Sequence, residues 1–122
     1  MDTWTPFSEA DLWDEINRDW DHMTLVQRRL WEVIKIAPQK WQQHPWGDHG
    51  GGFWAVAILG QTVVWFNDIE GGFNRSRYDQ YGIIRGYWCN QDELGLIIQY
   101  LLDEIQTGYG YAGPPIPGEF LP

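Results

Sequence analysis

The chain is poor in cysteine, in basic residues and in long apolar runs, and each shortage closes off a class of protein. A single cysteine, Cys89, cannot form an internal disulfide, so the fold must be held by its core, and such usage agrees with a reducing compartment. Eight Lys and Arg stand against 17 Asp and Glu, for a formal net charge of -9. That charge repels a phosphate backbone and forgoes the counterion release that drives nucleic-acid binding, so DNA and RNA are not expected partners. The longest apolar run, 53–59, is far too short to cross a bilayer, and the first residues, MDTWTPFSEADLW, show neither the basic nor the apolar region of a signal peptide. A cytoplasmic protein without membrane contact is expected. No spacing implies a metal or a cofactor. His-Glu-x-x-His is missing, and the triple glycine at 50–52 lacks the Gly-Lys-Ser/Thr continuation of a phosphate loop.

What the chain does have is apolar and aromatic bulk. With 43% hydrophobic and 16% aromatic residues in 122, one domain over 1–122 can bury a real core without metal or disulfide staples. Nine of the aromatics are Trp, whose indole N–H needs a partner even when the ring is buried, so several are expected at half-wet positions.

Two helices are expected before residue 38. Ser8 followed by Asp11 has the spacing of an N-cap with an acid in the first turn, and Leu12, Trp13, Ile16, Trp20 and Met23 recur at helical spacing behind an outer face of acids. Thr24 and Gln27 form a second capping-box pattern, and Val26, Leu30, Val33 or Ile34 and Ala37 continue a helical stripe to Pro38. Residues 31–36 also alternate, with β-branched Val33, Ile34 and Ile36, so a strand is the alternative; Pro38 would put it at a sheet edge.

The stretch from 44 to 90 should contain the sheet. Residues 39–52, with Pro45, Gly47 and three glycines, read as a loop. Two apolar runs, 53–59 and 62–67, separated by Gly60-Gln61, predict a hairpin with a two-residue turn. Its expected register sets Ile58 opposite Val63, Ala57 opposite Val64, Val56 opposite Trp65 and Ala55 opposite Phe66. Both faces are then apolar and must be covered by helices, loops or another subunit, with Ala55 and Ala57 marking a face that a helix can approach closely. Residues 68–81 read as a long loop and 83–89 as a third strand. Asn90 with Glu93 suggests a helix start, and Leu94, Ile97, Ile98, Leu101, Leu102 and Ile105 give the last helix its apolar stripe. The final stretch, 107–122, is a Gly/Pro-rich tail. The expected fold is α+β: an antiparallel sheet of three strands, or four if 31–41 contributes one, built on a central hairpin and flanked by N- and C-terminal helices.

The hairpin geometry also selects candidate functional residues. It brings the loop that ends at Gly52 and the loop that begins at Asp68 to one end of the strand pair, which would gather Asp48, His49, Asp68 and Glu70 as ligands for a divalent cation or as acid/base groups. Turn formation by the aspartates explains the same residues structurally. His22 and His44 have no evident acid partner. Cys89 is expected to be buried and inert, and Trp41 and Trp46, in the polar loop, are the aromatics expected to be exposed.

The runs GGGFWAVAILG, VVWFNDIEGGFN and YWCNQDEL resemble a pattern found in small bacterial proteins of no assigned activity. In size, acidity and α+β layout the chain is similar to bacterial immunity proteins, and that likeness implies a non-enzymatic protein that masks a cognate toxin. The expected contact surface is Asp11, Asp14, Glu15, Asp19, Trp46, Asp68 and Glu70, meeting a basic protein partner. A small metal-assisted or acid/base enzyme using the 48–49 and 68–70 loops is the first alternative. A structural or oligomerisation module, its sheet covered by a partner subunit, is the second.

Overall fold

The computed structural model describes residues 4–108. Three helices and a four-stranded antiparallel sheet follow in the order α1 (Glu9–His22), α2 (Leu25–Ile34), β1 (Lys35–Trp41), β2 (Phe53–Leu59), β3 (Thr62–Asn67), β4 (Gly72–Arg77) and α3 (Leu94–Thr107), the strands lying side by side in sequence order. The expected α+β class and central hairpin are present. The tail expected over 107–122 falls, from residue 109 on, outside the described residues.

Local chemistry sets the first two helices as expected. Ser8 and Asp11 form a reciprocal capping box on α1, and Thr24 and Gln27 form another on α2, each satisfying two backbone donors that a helix start leaves open. The ambiguity over 31–36 resolves as a division. The helix runs to Ile34 and the chain turns at once into β1, an edge strand that carries Pro38 where no central strand would accept it.

The hairpin closes through Gly60, at a positive φ of 59°, with Leu59 opposite Thr62. Its register departs from expectation midway. Ala57 does face Val64 and Ile58 does face Val63, but a bulge at Val56 moves Ala55 opposite Trp65 and Trp54 opposite Phe66. The extra residue lets Val56 and Ala57 both pack toward the helices and turns Ala55 to the other face.

Two expectations fail further along. Residues 72–77, read as loop, form β4; its buried inward positions include Asn74, Arg75 and Ser76, so no apolar alternation announces it. Residues 83–89, read as a strand, are irregular and lie across the sheet, with a single parallel bridge of Ile83 to Gln42 in place of a paired strand. There they give Ile84 and Tyr87 to the core. The last helix begins at Leu94 rather than near Asn90, and of its expected stripe Leu94, Ile97, Ile98 and Leu101 are buried while Ile105 is exposed.

The two faces of the sheet are therefore covered from within the chain. On one, Leu12 and Ile16 of α1, Trp31 and Ile34 of α2, and the buried stripe of α3 pack on Val56, Ala57, Val64, Phe66 and Phe73. On the other, the segment 78–88 lies over Phe53, Ala55, Val63 and Trp65. This removes the reason for expecting a partner subunit over the sheet. No helix among the described residues is long and apolar enough to cross a membrane.

Candidate functional site

The heavy punctuation between β1 and β2 folds into a tight turn. The His44–Pro45 bond is cis, Gly47 N–H donates to Gln43 O at 2.6 Å and Gly52 N–H to Gly47 O at 2.8 Å, with a single 3-10 turn at Asp48–Gly50 between them. Gly52 is required here. Its φ is 108°, and a β-carbon would collide with the carbonyl oxygen of Trp41. The turn is tied to the segment across the sheet, since Gln42 N–H donates to Gly82 O at 2.9 Å and Ile84 N–H to Gln42 O at 2.8 Å.

Between these two segments lies a cavity of about 620 Å³, walled by Gln42, Gln43, His44 and Asp48, by Gly47, Gly51 and Gly52, and by Ile83. On its wall the imidazole Nδ1 of His44 lies 2.6 Å from Asp48 Oδ2. Gln43 is 5% exposed, and its amide oxygen meets no hydrogen-bond donor among the described residues. Trp46, next in the turn, is 47% exposed and stacked on Tyr87 at 4.8 Å between ring centroids. Tyr81 is also exposed, with its hydroxyl donating to Gln39 Oε1 at 2.8 Å.

The loop ending at Gly52 and the loop after Asn67 do not gather Asp48, His49, Asp68 and Glu70 into one cluster, because the N-terminal segment lies between them. Trp4 Nε1 donates to Asp68 O at 2.9 Å while its ring lies against Gly50, so one indole touches both loops. Asp68 Oδ2 accepts from Phe7 N–H at 2.8 Å, and Phe7 stacks on Phe66 and accepts from Trp54 Nε1 through its carbonyl. Burial pushes the Asp68 carboxyl above the usual aspartate range, against the Phe7 N–H and the Lys40 ammonium that favour its charge. Lys40 in turn is lowered by burial, its Nζ donating to Gly50 O at 3.0 Å. His49 and Glu70 are exposed, and the Glu70 carbonyl accepts from Gln91. Among the described residues no group of three or more His, Cys, Asp or Glu is placed to hold a metal ion.

The expected contact residues of α1 separate into two kinds. Asp14 is exposed, Asp11 is exposed within its capping box, and Glu15 pairs with Arg18 at 2.9 Å. Asp19 is buried. Its Oδ2 accepts from Leu94 N–H at 2.8 Å, so it caps α3, whose own N-cap residue Glu93 makes no side-chain cap. Burial, more than any neighbouring charge, raises its pKa.

Several expectations are corrected. His22 has an acid partner, Glu93 Oε1 at 2.8 Å, which raises the imidazole's pKa; His44 has Asp48. Trp41 is 1% exposed, held edge-on to Tyr78, because the end of β1 tucks under the crossing segment. Cys89 is exposed, because the strand that would have buried it does not form. The sequence reading missed Gln43, His44 and Ile83 as a wall. The His44-to-Asp48 spacing was the available signal, hidden because it spans a proline turn and not a helix.

Comparison with protein-family models, with curated proteins and with solved structures finds no match to this chain.

Proposed function

We propose that the chain is a non-enzymatic binding protein for a basic protein partner, of the kind by which immunity proteins mask a toxin. The observation that carries the reading is the acidic surface of α1, where Asp11, Asp14 and Asp21 lie exposed in a chain of net charge -9. A surface of one sign steers a partner of the other and selects against like-charged ones. The next helix supports it, since Leu25, Val26 and Val33 of α2 stand 62%, 58% and 80% exposed, the apolar material that an interface core needs. Asp19 leaves the contact set, being committed to α3.

The test is capture of protein partners, including the products of adjacent genes, by the wild type and by a variant with Asp11→Lys and Asp14→Lys. Binding of a basic protein that weakens with added salt and is lost in the variant is expected. Binding indifferent to both salt and charge reversal sinks the reading.

The His44–Asp48 pair favours a second reading, acid/base chemistry at the cavity, because an aspartate on Nδ1 orients an imidazole and leaves Nε2 to exchange protons. Turnover of generic ester or phosphoester probes that disappears in His44→Gln is its mark.

A further inference from the structure

We propose that residues 4–7 form a strap across the open end of the hairpin, a strap whose closure the protonated form of Asp68 favours and which loosens as Asp68 ionises. Its grip is made chiefly at Trp4 and Phe7. Trp4 Nε1 donates to Asp68 O at 2.9 Å with its ring against Gly50, and Phe7 N–H donates to Asp68 Oδ2 at 2.8 Å. Phe7 O accepts from Trp54 Nε1 at 2.9 Å, and the Phe7 ring lies 4.8 Å from that of Phe66. Asp68 thus takes both ends of the strap. The helix behind it is closed separately, since Ser8 and Asp11 cap the start of α1 reciprocally, so residues 4–7 can lift without opening the helix.

Closure works against a charged Asp68. The residue is 9% exposed, and its Oδ1 meets no hydrogen-bond donor among the described residues. Lys40 of β1 favours the charge without touching it, its ammonium being bound to Gly50 O and Gly52 O and lying over the Trp54 ring. The Tyr87 phenol of the crossing segment also senses Asp68, but burial pushes it above its ordinary 10, so it stays neutral. The strap has no ionisable side chain, and Asp48, His49 and Glu70 of the flanking loops are exposed. Burial outweighs the Phe7 N–H, Lys40 and the residue's own N–H, and raises the Asp68 pKa. Lifting the strap returns water to the carboxyl and lets it fall toward the ordinary 3.8. The closed strap therefore holds the proton more tightly, an advantage complete below 3.8 and lost as pH rises through the raised value. Opening bares Phe66, Trp54 and Lys40, an aromatic face with one cation.

The experiment follows the isotope-labelled full chain by nuclear magnetic resonance from about pH 4 to about pH 8. It reads the Asp68 carboxyl titration together with hydrogen-exchange protection, corrected for the intrinsic pH dependence, at the Trp4 indole and the Phe7 amide. Protection at both should fall several-fold as Asp68 ionises, while Ile16 on α1 and Val64 on β3 keep theirs. Asp68→Asn, neutral throughout, should hold Phe7 protection level with pH. Trp4→Ala removes one grip and leaves Phe7 in place, so the Asp68 midpoint should move down toward that of an ordinary aspartate. Protection at Ile16 and Val64 reports whether each variant keeps the fold; should Trp4→Ala lose it, the wild-type profile and Asp68→Asn still decide. An unchanged Asp68 midpoint in a folded Trp4→Ala, wild-type Phe7 protection that is level or rises with pH, or loss at Ile16 and Val64 in step with Phe7 overturns the proposal.

Discussion

On the helix-covered face of the sheet the buried surface is mostly aliphatic and phenyl, and the elements over it satisfy their own backbones. On the loop-covered face Phe53, Ala55, Val63 and Trp65 share the surface with buried polar side chains, and the sheet must reach up to bond what lies on it. Trp65 Nε1 donates to Ser76 Oγ at 2.9 Å, and Ser76 Oγ to Gly86 O at 2.7 Å. Asn67 Nδ2 donates to the Tyr87 hydroxyl and to Trp88 O, while Asn74 both donates to Asn90 O and accepts from Asn90 N–H. A helix brings internal hydrogen bonds with it; an irregular segment arrives with open donors and acceptors that must be met from outside. The buried Asn67, Asn74 and Ser76 are what a loop lid demands of the sheet beneath it.

If the two faces differ in this way, they should break differently. The largest losses come from truncating either core: Leu101→Ala on the helix side should cost about 2–5 kcal/mol, and Trp65→Ala on the loop side about 3–5 kcal/mol, read from urea unfolding. A smaller change separates the faces. Asn67→Leu keeps the bulk but strands the Trp88 carbonyl and the N–H groups of Ile69 and Glu70, at about 1–3 kcal/mol for a buried polar group left unpaired. Hydrogen exchange should then accelerate first at Ile84 and Asn90 while α3 stays protected; uniform acceleration would mean that the lid is not a separate unit. Asp19→Ala removes the cap of α3 and should cost about 1 kcal/mol, with exchange at Leu94 as its local sign.

The smallest effect is that of pH, and its sign follows from burial. Asp19 and Asp68 hold their protons to higher pH in the folded chain than the ordinary 3.8 of an aspartate. The folded state therefore binds more protons than the unfolded one above 3.8, and stability falls as pH rises through the raised values. His22 acts in the same sense, its contribution complete below 6.5 and lost as pH rises through its raised value. The urea midpoint should increase as pH is lowered from about 8 toward about 4, the window above the ordinary aspartate value. Asp68→Asn, which keeps an acceptor for Phe7 N–H, should flatten part of that slope; an unchanged slope would show that Asp68 contributes none of it.

The same contrast explains what could be read in advance. The helices and the hairpin announce themselves, because a helix stripe and a capping box are local patterns and Gly60 sits where a two-residue turn needs it. The lid face does not. Its strand, Gly72–Arg77, is coded by polar residues whose value lies in partners ten or more positions away, and residues 83–89 look like a strand because both lids and strands need apolar side chains. The candidate site was legible only in place: the turn and Asp48 were found, but nothing local says that residues 4–7 would hold Asp48 and Asp68 apart.

Asp19 bears on how the chain is made. The carboxylate that completes α3 is synthesised 75 residues before the amide it caps. A growing chain therefore has α1 early, with an apolar face and an acid whose partner amide emerges 75 residues later. Docking of α3 and satisfaction of Asp19 are therefore expected to occur together. Refolding should show protection at Leu94 appearing with the final native signal and not with the formation of α1 or α2.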